Sequence, residues 1–158
     1  MVEKTQPSAR VTTKADNAFT LAQIKKIIEV PKDQEKAFDA AAIAGKEELS
    51  KKFRVVCMIG LTGHGKSSTA NSICGQEKFT ISAGTESETD SVAGLLARWQ
   101  GIKEEEPIIV LDTPGFGDSK GRDTGHIANV VCSLKQIGYV HSFLIILNSE
   151  EPRLNEQL

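Results

Sequence analysis

The run Gly60-Leu61-Thr62-Gly63-His64-Gly65-Lys66-Ser67 sets glycines, one amine and one hydroxyl at the offsets of the phosphate-binding pattern G-x-x-x-x-G-K-[ST]. Glycines let a backbone close on phosphate oxygens at distances that a Cβ would forbid. The amides of Gly63, His64, Gly65, Lys66 and Ser67 can then turn inward as an anion nest, with Gly60 and Thr62 completing the cradle. A helix starting here adds the positive end of its dipole. Lys66 is expected to reach the β- and γ-phosphates as the charge-stabilising catalytic group, and the Ser67 hydroxyl to ligate Mg²⁺. Ser68 falls near the α-phosphate, and His64 is expected to contribute mainly its backbone N–H. This is the chemistry of nucleoside triphosphate binding.

A second motif, Asp112-Thr113-Pro114-Gly115, follows the apolar run Ile108–Leu111. A carboxylate at a strand end can hold Mg²⁺, usually through water, because a hard cation takes oxygen ligands. Gly115 leaves room for its N–H to approach a γ-phosphate. Between the motifs, Phe79–Ser91 is rich in Ser, Thr and Glu. It suits a loop that orders when a threonine binds Mg²⁺ and the γ-phosphate. Thr89 is the first choice for this metal-binding and catalytic role and Thr85 the second; a plain exposed loop is the alternative.

These groups need strands and helices to position them. Arg54–Ile59 has the apolar texture of a buried strand, and residues 65–75 follow as a helix ending near Gly75. Val92–Trp99 and Pro107–Asp112 are predicted strands, Gly125–Gly138 a helix, and Val140–Leu147 a further buried strand. The alternation predicts an α/β fold of the P-loop NTPase type, a mostly parallel sheet with helices on both faces. Residues 53–158 are expected to form this unit. Residues 1–18 are polar and aperiodic and are expected to be a disordered tail. Residues 19–52 are a helical extension: a helix from a Thr20/Gln23 capping box, stopped by Pro31, then a second from about Asp33 to Lys51, weakened by Gly45. The two helices could pack on the later domain or on another chain, with a structural lid or linker favoured over a recognition module.

Composition narrows the class. The chain of 158 residues is 39% hydrophobic and 25% charged, with a formal net charge of −2. No stripe of Lys and Arg argues for nucleic acid. No apolar run is long enough for a transmembrane segment, and the N-terminal residues resemble neither a secretory nor a transit peptide. Cys57, Cys74 and Cys132 are scattered, as are His64, His126 and His141, so neither a disulfide framework nor a zinc site is expected and the cysteines suit reducing cytosol.

The stretches G-L-T-G-H-G-K-S-S-T-A-N-S-I-C-G (60–75), S-E-T-D (87–90), V-L-D-T-P-G-F-G-D-S (110–119) and H-S-F-L-I-I-L-N (141–148) resemble the immunity-associated nucleotide-binding GTPases, the GIMAP or IAN family of AIG-type G domains. These sit near septins and chloroplast import GTPases. The resemblance covers about residues 53–158 and implies a partial G domain there, with GTP and GDP as ligands together with Mg²⁺. It also implies a switch that self-assembles through its nucleotide face as a dimer or oligomer, cytoplasmic or peripheral on intracellular membranes. The base-reading [NT]-K-x-D motif should follow the strand ending near Asn148, after a further helix and strand, and the chain stops at Leu158 before it. Thr13-Lys14-Ala15-Asp16 fits that pattern, as in a circularly permuted GTPase, but no apolar strand leads into it. Guanine preference therefore rests on the resemblance. Many small GTPases orient the attacking water with a Gln directly after D-x-x-G, where this chain has Phe116, so intrinsic hydrolysis is expected to be slow. Three readings stay open: a GTPase switch, a nucleotide-stabilised scaffold with incidental turnover, and an ATP-using enzyme.

Overall fold

The computed structural model describes residues 14–81, 91–117 and 123–148. Thr85, Thr89, most of the expected N-terminal tail and the segment after Asn148 lie outside the described residues.

Arg54–Gly60 (β2) is a run of apolar residues because both of its faces are covered. Val55 and Cys57 point into one core and Met58 into another, as the two-residue period of a strand requires. Pro107–Asp112 (β4) lies beside β2 in parallel, from Arg54 opposite Ile108 to Cys57 opposite Leu111. Ser142–Ile146 (β5) is parallel to β2 on its other side, ending with Gly60 opposite Ile146. Ala93–Arg98 (β3) pairs antiparallel with β4. The expected mostly parallel α/β sheet is thus present. Because β2 and β4 run parallel, their carboxyl ends open on the same edge of the sheet, where ligands of such sheets bind.

One face carries the helix Lys66–Cys74 (α4), which packs Ala70, Ile73 and Cys74 on Met58, Leu95 and Val110. The opposite core joins Val55, Cys57, Leu96, Ile109 and Leu111 to Val130 and Ile137 of the helix Asp123–Ile137 (α5).

The N-terminal part departs from expectation. A helix, α1, spans Lys14–Ile27, so Thr20 lies inside it and not at a capping position. Residues 14–18, expected in the tail, are helical, and Lys14-Ala15-Asp16 lies in that helix, contrary to a base-reading loop. Ile28–Glu29 (β1) forms a two-residue strand parallel to β3 and extends the sheet to the order β1-β3-β4-β2-β5. Gly94 makes that approach possible: a Cβ there would come within 2.8 Å of the Leu111 side chain and 3.0 Å of Ile28 Cγ1. The single helix expected over Asp33–Lys51 is two, Lys32–Ala44 (α2) and Lys46–Lys52 (α3). Gly45 at φ +124° separates them, a conformation that ends a helix and that side-chain-bearing residues rarely adopt. Ile24, Ile28, Phe38, Ala42, Leu49 and Phe53 belong to the same core as the sheet residues over α5. Of the options open from sequence, packing on the later domain is the one observed.

Candidate functional site

The phosphate loop begins where β2 meets β5. Gly60 has φ +154°, and a Cβ on it would come within 2.4 Å of the Ile146 carbonyl oxygen, so no larger residue fits this turn. Gly63 and Gly65 take φ +81° and +88°, and Gly65 caps α4 in the left-handed region. The chain therefore enters α4 through the strand–glycine turn–helix that the motif requires.

Lys66 is the first residue of α4 and only 6% exposed. Its Nζ donates to the Leu61 carbonyl oxygen at 2.8 Å, which holds the ammonium inside the loop. Burial pushes its pKa down, and the Asp112 charge opposes that shift.

Ser67 Oγ donates to Asp112 Oδ2 at 2.6 Å, so the two sequence motifs meet in one contact. Asp112 is 1% exposed, and its other oxygen, Oδ1, is buried with no hydrogen-bond partner among the described residues. Burial raises the carboxyl pKa, opposed first by the Ser67 hydrogen bond and then by the Lys66 charge. A buried carboxylate with a free oxygen beside a hydroxyl is a donor set that fits Mg²⁺. Among the described residues no three His, Cys, Asp or Glu gather as a metal cluster.

The Asp112 turn is fastened to the phosphate loop. Thr113 Oγ1 donates to the Met58 carbonyl at 2.7 Å. Phe116 N–H donates to the Gly60 carbonyl at 3.2 Å, and Thr62 N–H donates to the Phe116 carbonyl at 3.0 Å. Gly115 lies against Thr62, where a Cβ would meet Thr62 Oγ1 at 2.3 Å, and that hydroxyl has no partner among the described residues. The structure thus brings together Gly60, Thr62, Gly63, His64, Gly65, Lys66, Ser67, Asp112 and Gly115, and leaves Ser68 exposed on the first turn of α4.

Two residues were not singled out from sequence. Thr113 pins the Asp112 turn, as above. Asn71, buried on α4, accepts from Lys78 N–H at 2.9 Å and Phe79 N–H at 2.8 Å and donates to the Phe79 carbonyl at 2.8 Å. It anchors the chain where the polar stretch 79–91 begins. Its type and its offset from Ser67 do not by themselves name the Lys78 and Phe79 backbone as its partners.

Residues 54–157 match the AIG1 family. The chain is 28% identical over 104 residues to immune-associated nucleotide-binding protein 10 of Arabidopsis thaliana, covering 64% of this chain and 21% of that protein. It is 30% identical over 115 residues to immune-associated nucleotide-binding protein 7 of the same plant, covering 71% and 35% respectively. With GTPase Der of Geobacillus sp. (strain WCH70) it shares 30% identity over 108 residues, 68% of this chain and 24% of the relative. The chain spans between about a fifth and about a third of the length of these relatives. With a phosphate loop and a strand-end aspartate joined in one site, and a match over most of its length, the chain belongs to the AIG1 family.

Proposed function

We propose that the chain binds GTP and GDP with Mg²⁺ through the Gly60–Ser67 loop and serves as the phosphate-handling part of a GTPase switch. The observation that carries this is the 2.6 Å bond between Ser67 and Asp112, which puts the loop hydroxyl and the buried carboxylate around one point. Backbone amides of Gly63–Ser67 would hold the β-phosphate, and Lys66 the β- and γ-phosphates. Ser67 and Asp112 would hold Mg²⁺, with Thr89 the third candidate. When bound, Mg²⁺ supplies charge stabilisation to the phosphate oxygens. Gly115, against Thr62, would present its N–H to the γ-phosphate. The names of the relatives, nucleotide-binding proteins and a GTPase, support the guanine assignment.

Hydrolysis by the chain alone should be slow. Phe116 has no side-chain group to orient water, and its backbone is used in fastening two loops together. Self-assembly through the nucleotide face would supply the missing group, and the cytoplasm, peripherally at membranes, is the location we assign. Phe116 also favours the second reading, a scaffold that nucleotide stabilises without useful turnover. Equilibrium titration with GTP, GDP and ATP in Mg²⁺, on a protein that contains this chain together with the base-reading motif, is the test, with Lys66→Ala as the control. GTP and GDP are expected to bind more tightly than ATP, and Lys66→Ala to weaken GTP by about 10- to 100-fold through loss of a charged hydrogen bond. Equal GTP and ATP affinity would overturn the guanine assignment, and an unchanged Lys66→Ala affinity would overturn the site. Single-turnover rates that stay near zero at every protein concentration would favour the scaffold.

A further inference from the structure

The phosphate loop touches the sheet at its base, where Gly60 lies against Ile146, and again at its far side through a side chain. His64 Nδ1 accepts a hydrogen bond from the Asn148 backbone N–H at 3.3 Å, spanning 84 positions of sequence. Both residues are half-buried. Asn148 lies just beyond β5, on the chain as it leaves the sheet.

We infer that the His64 imidazole is a positioning residue that ties the phosphate loop to the chain leaving β5, so that phosphate in the loop and order at Asn148 favour each other. The inference rests on the nucleotide site proposed above. Gly63 and Gly65 flank His64 in left-handed conformations, and among the described residues a Cβ on either would meet nothing within 4 Å, so packing at these glycines does not fix the turn. Within the loop the His64 N–H reaches the Leu61 carbonyl only at 3.4 Å. An anion nest binds tightly when its amides already converge, because ordering a glycine-rich loop at the moment of binding takes free energy from the ligand. The bond to Asn148 restrains the middle of the loop before ligand arrives. Linkage makes the effect reciprocal: a ligand that fixes the loop must also protect the Asn148 amide. In this role His64 holds a backbone in place.

The experiment compares wild type, His64→Ala and His64→Asn in the full chain. The Oδ1 of asparagine occupies the branch position of Nδ1 and can accept the same bond. Two quantities are read: affinity for GDP with Mg²⁺, and hydrogen exchange at the Asn148 amide with and without GDP. His64→Ala should weaken GDP by about 3- to 10-fold, the worth of one hydrogen bond, and speed Asn148 exchange by a similar factor. His64→Asn should restore both, and GDP should slow Asn148 exchange in wild type but much less in His64→Ala. Equal Asn148 exchange in wild type and His64→Ala, or failure of His64→Asn to restore it, overturns the tie. If wild type bound no nucleotide the proposed function would fail instead, and the exchange comparison without GDP would still decide whether the tie exists.

Discussion

At Asp112, the penalty of burying a carboxylate exceeds what the Ser67 hydrogen bond and the Lys66 charge return, so the carboxyl is held above its usual range. The charged form is therefore a burden on the folded chain, tolerated for what the buried, unpartnered oxygen can do for a cation. Removing the charge and keeping the shape separates the two roles. Asp112→Asn is expected to leave the ligand-free chain at least as stable as wild type, because a buried charge is replaced by an amide that can still accept from Ser67. The same change should weaken Mg²⁺-dependent GDP binding by about 10-fold or more, the loss of a charged ligand to a hard cation. Thermal denaturation and GDP titrations with Mg²⁺ or with chelator measure both. A lowered Tm with intact Mg²⁺ dependence would mean that Asp112 serves the fold and not a cation. The partners of this site were legible because glycine, lysine, serine and aspartate were recognisable by type and offset. Thr113, Asn71 and the backbone of Phe116 were not, since each acts through a tertiary partner, Met58, Phe79 or Gly60, that local sequence does not name.

Among the elements, the strands and helices that carry the motifs could be read from apolar period and length. β5, expected to be buried, is instead exposed from Ser142 to Ile145, because no described strand or helix covers its outer edge. β1 could not be read at all. Its two residues continue the isoleucine spacing of α1, and a two-residue strand has no period of its own; only pairing with β3 over Gly94 creates it. The break at Gly45 was visible as a weakness, but whether the chain bends there or runs straight depends on what Phe38 and Leu49 pack against. Both are fully buried in the sheet's core, and Phe38 stacks at 5.9 Å on Phe53, the residue leading into β2. The extension and the sheet should therefore unfold together. Phe38→Ala is expected to destabilise the whole chain by about 3–5 kcal/mol, the usual loss for a buried phenylalanine. Trp99, the chain's single tryptophan, follows the far end of β3 and reports on the sheet, whereas far-UV circular dichroism weighs the helices. In urea the two signals should move together to a lower midpoint. A Trp99 transition left where it was, with only the dichroism shifted, would show the helices to be a separate unit.

At the scale of the whole molecule, the sheet is protected unequally among the described residues. On its β1 side the edge strand is two residues long and carries Glu29, paired with Lys78 at 2.6 Å, and a short charged edge discourages further pairing. On its other side β5 offers five residues, Ser142–Ile146, with no charge and with Phe143 52% and Ile145 61% exposed. Ile127 and Val131 of α5 and Tyr139 are exposed as well, and Val131, Tyr139 and Phe143 line one shallow cavity. An uncharged edge of this length, continuous with apolar surface, is the kind of edge on which a further strand can add. The chain is therefore expected to self-associate as its concentration rises, independently of nucleotide. Ile145→Lys tests the cause, because a charge on the edge opposes pairing while an exposed position should change the monomer's stability by no more than about 0.5 kcal/mol. Sedimentation velocity over a range of concentrations should show wild type growing in mass and the variant staying monomeric, at nearly equal Tm. If the variant associates as strongly as wild type, β5 is not the contact. If added GTP alone drives wild type to assemble, association belongs to the phosphate face and not to this edge.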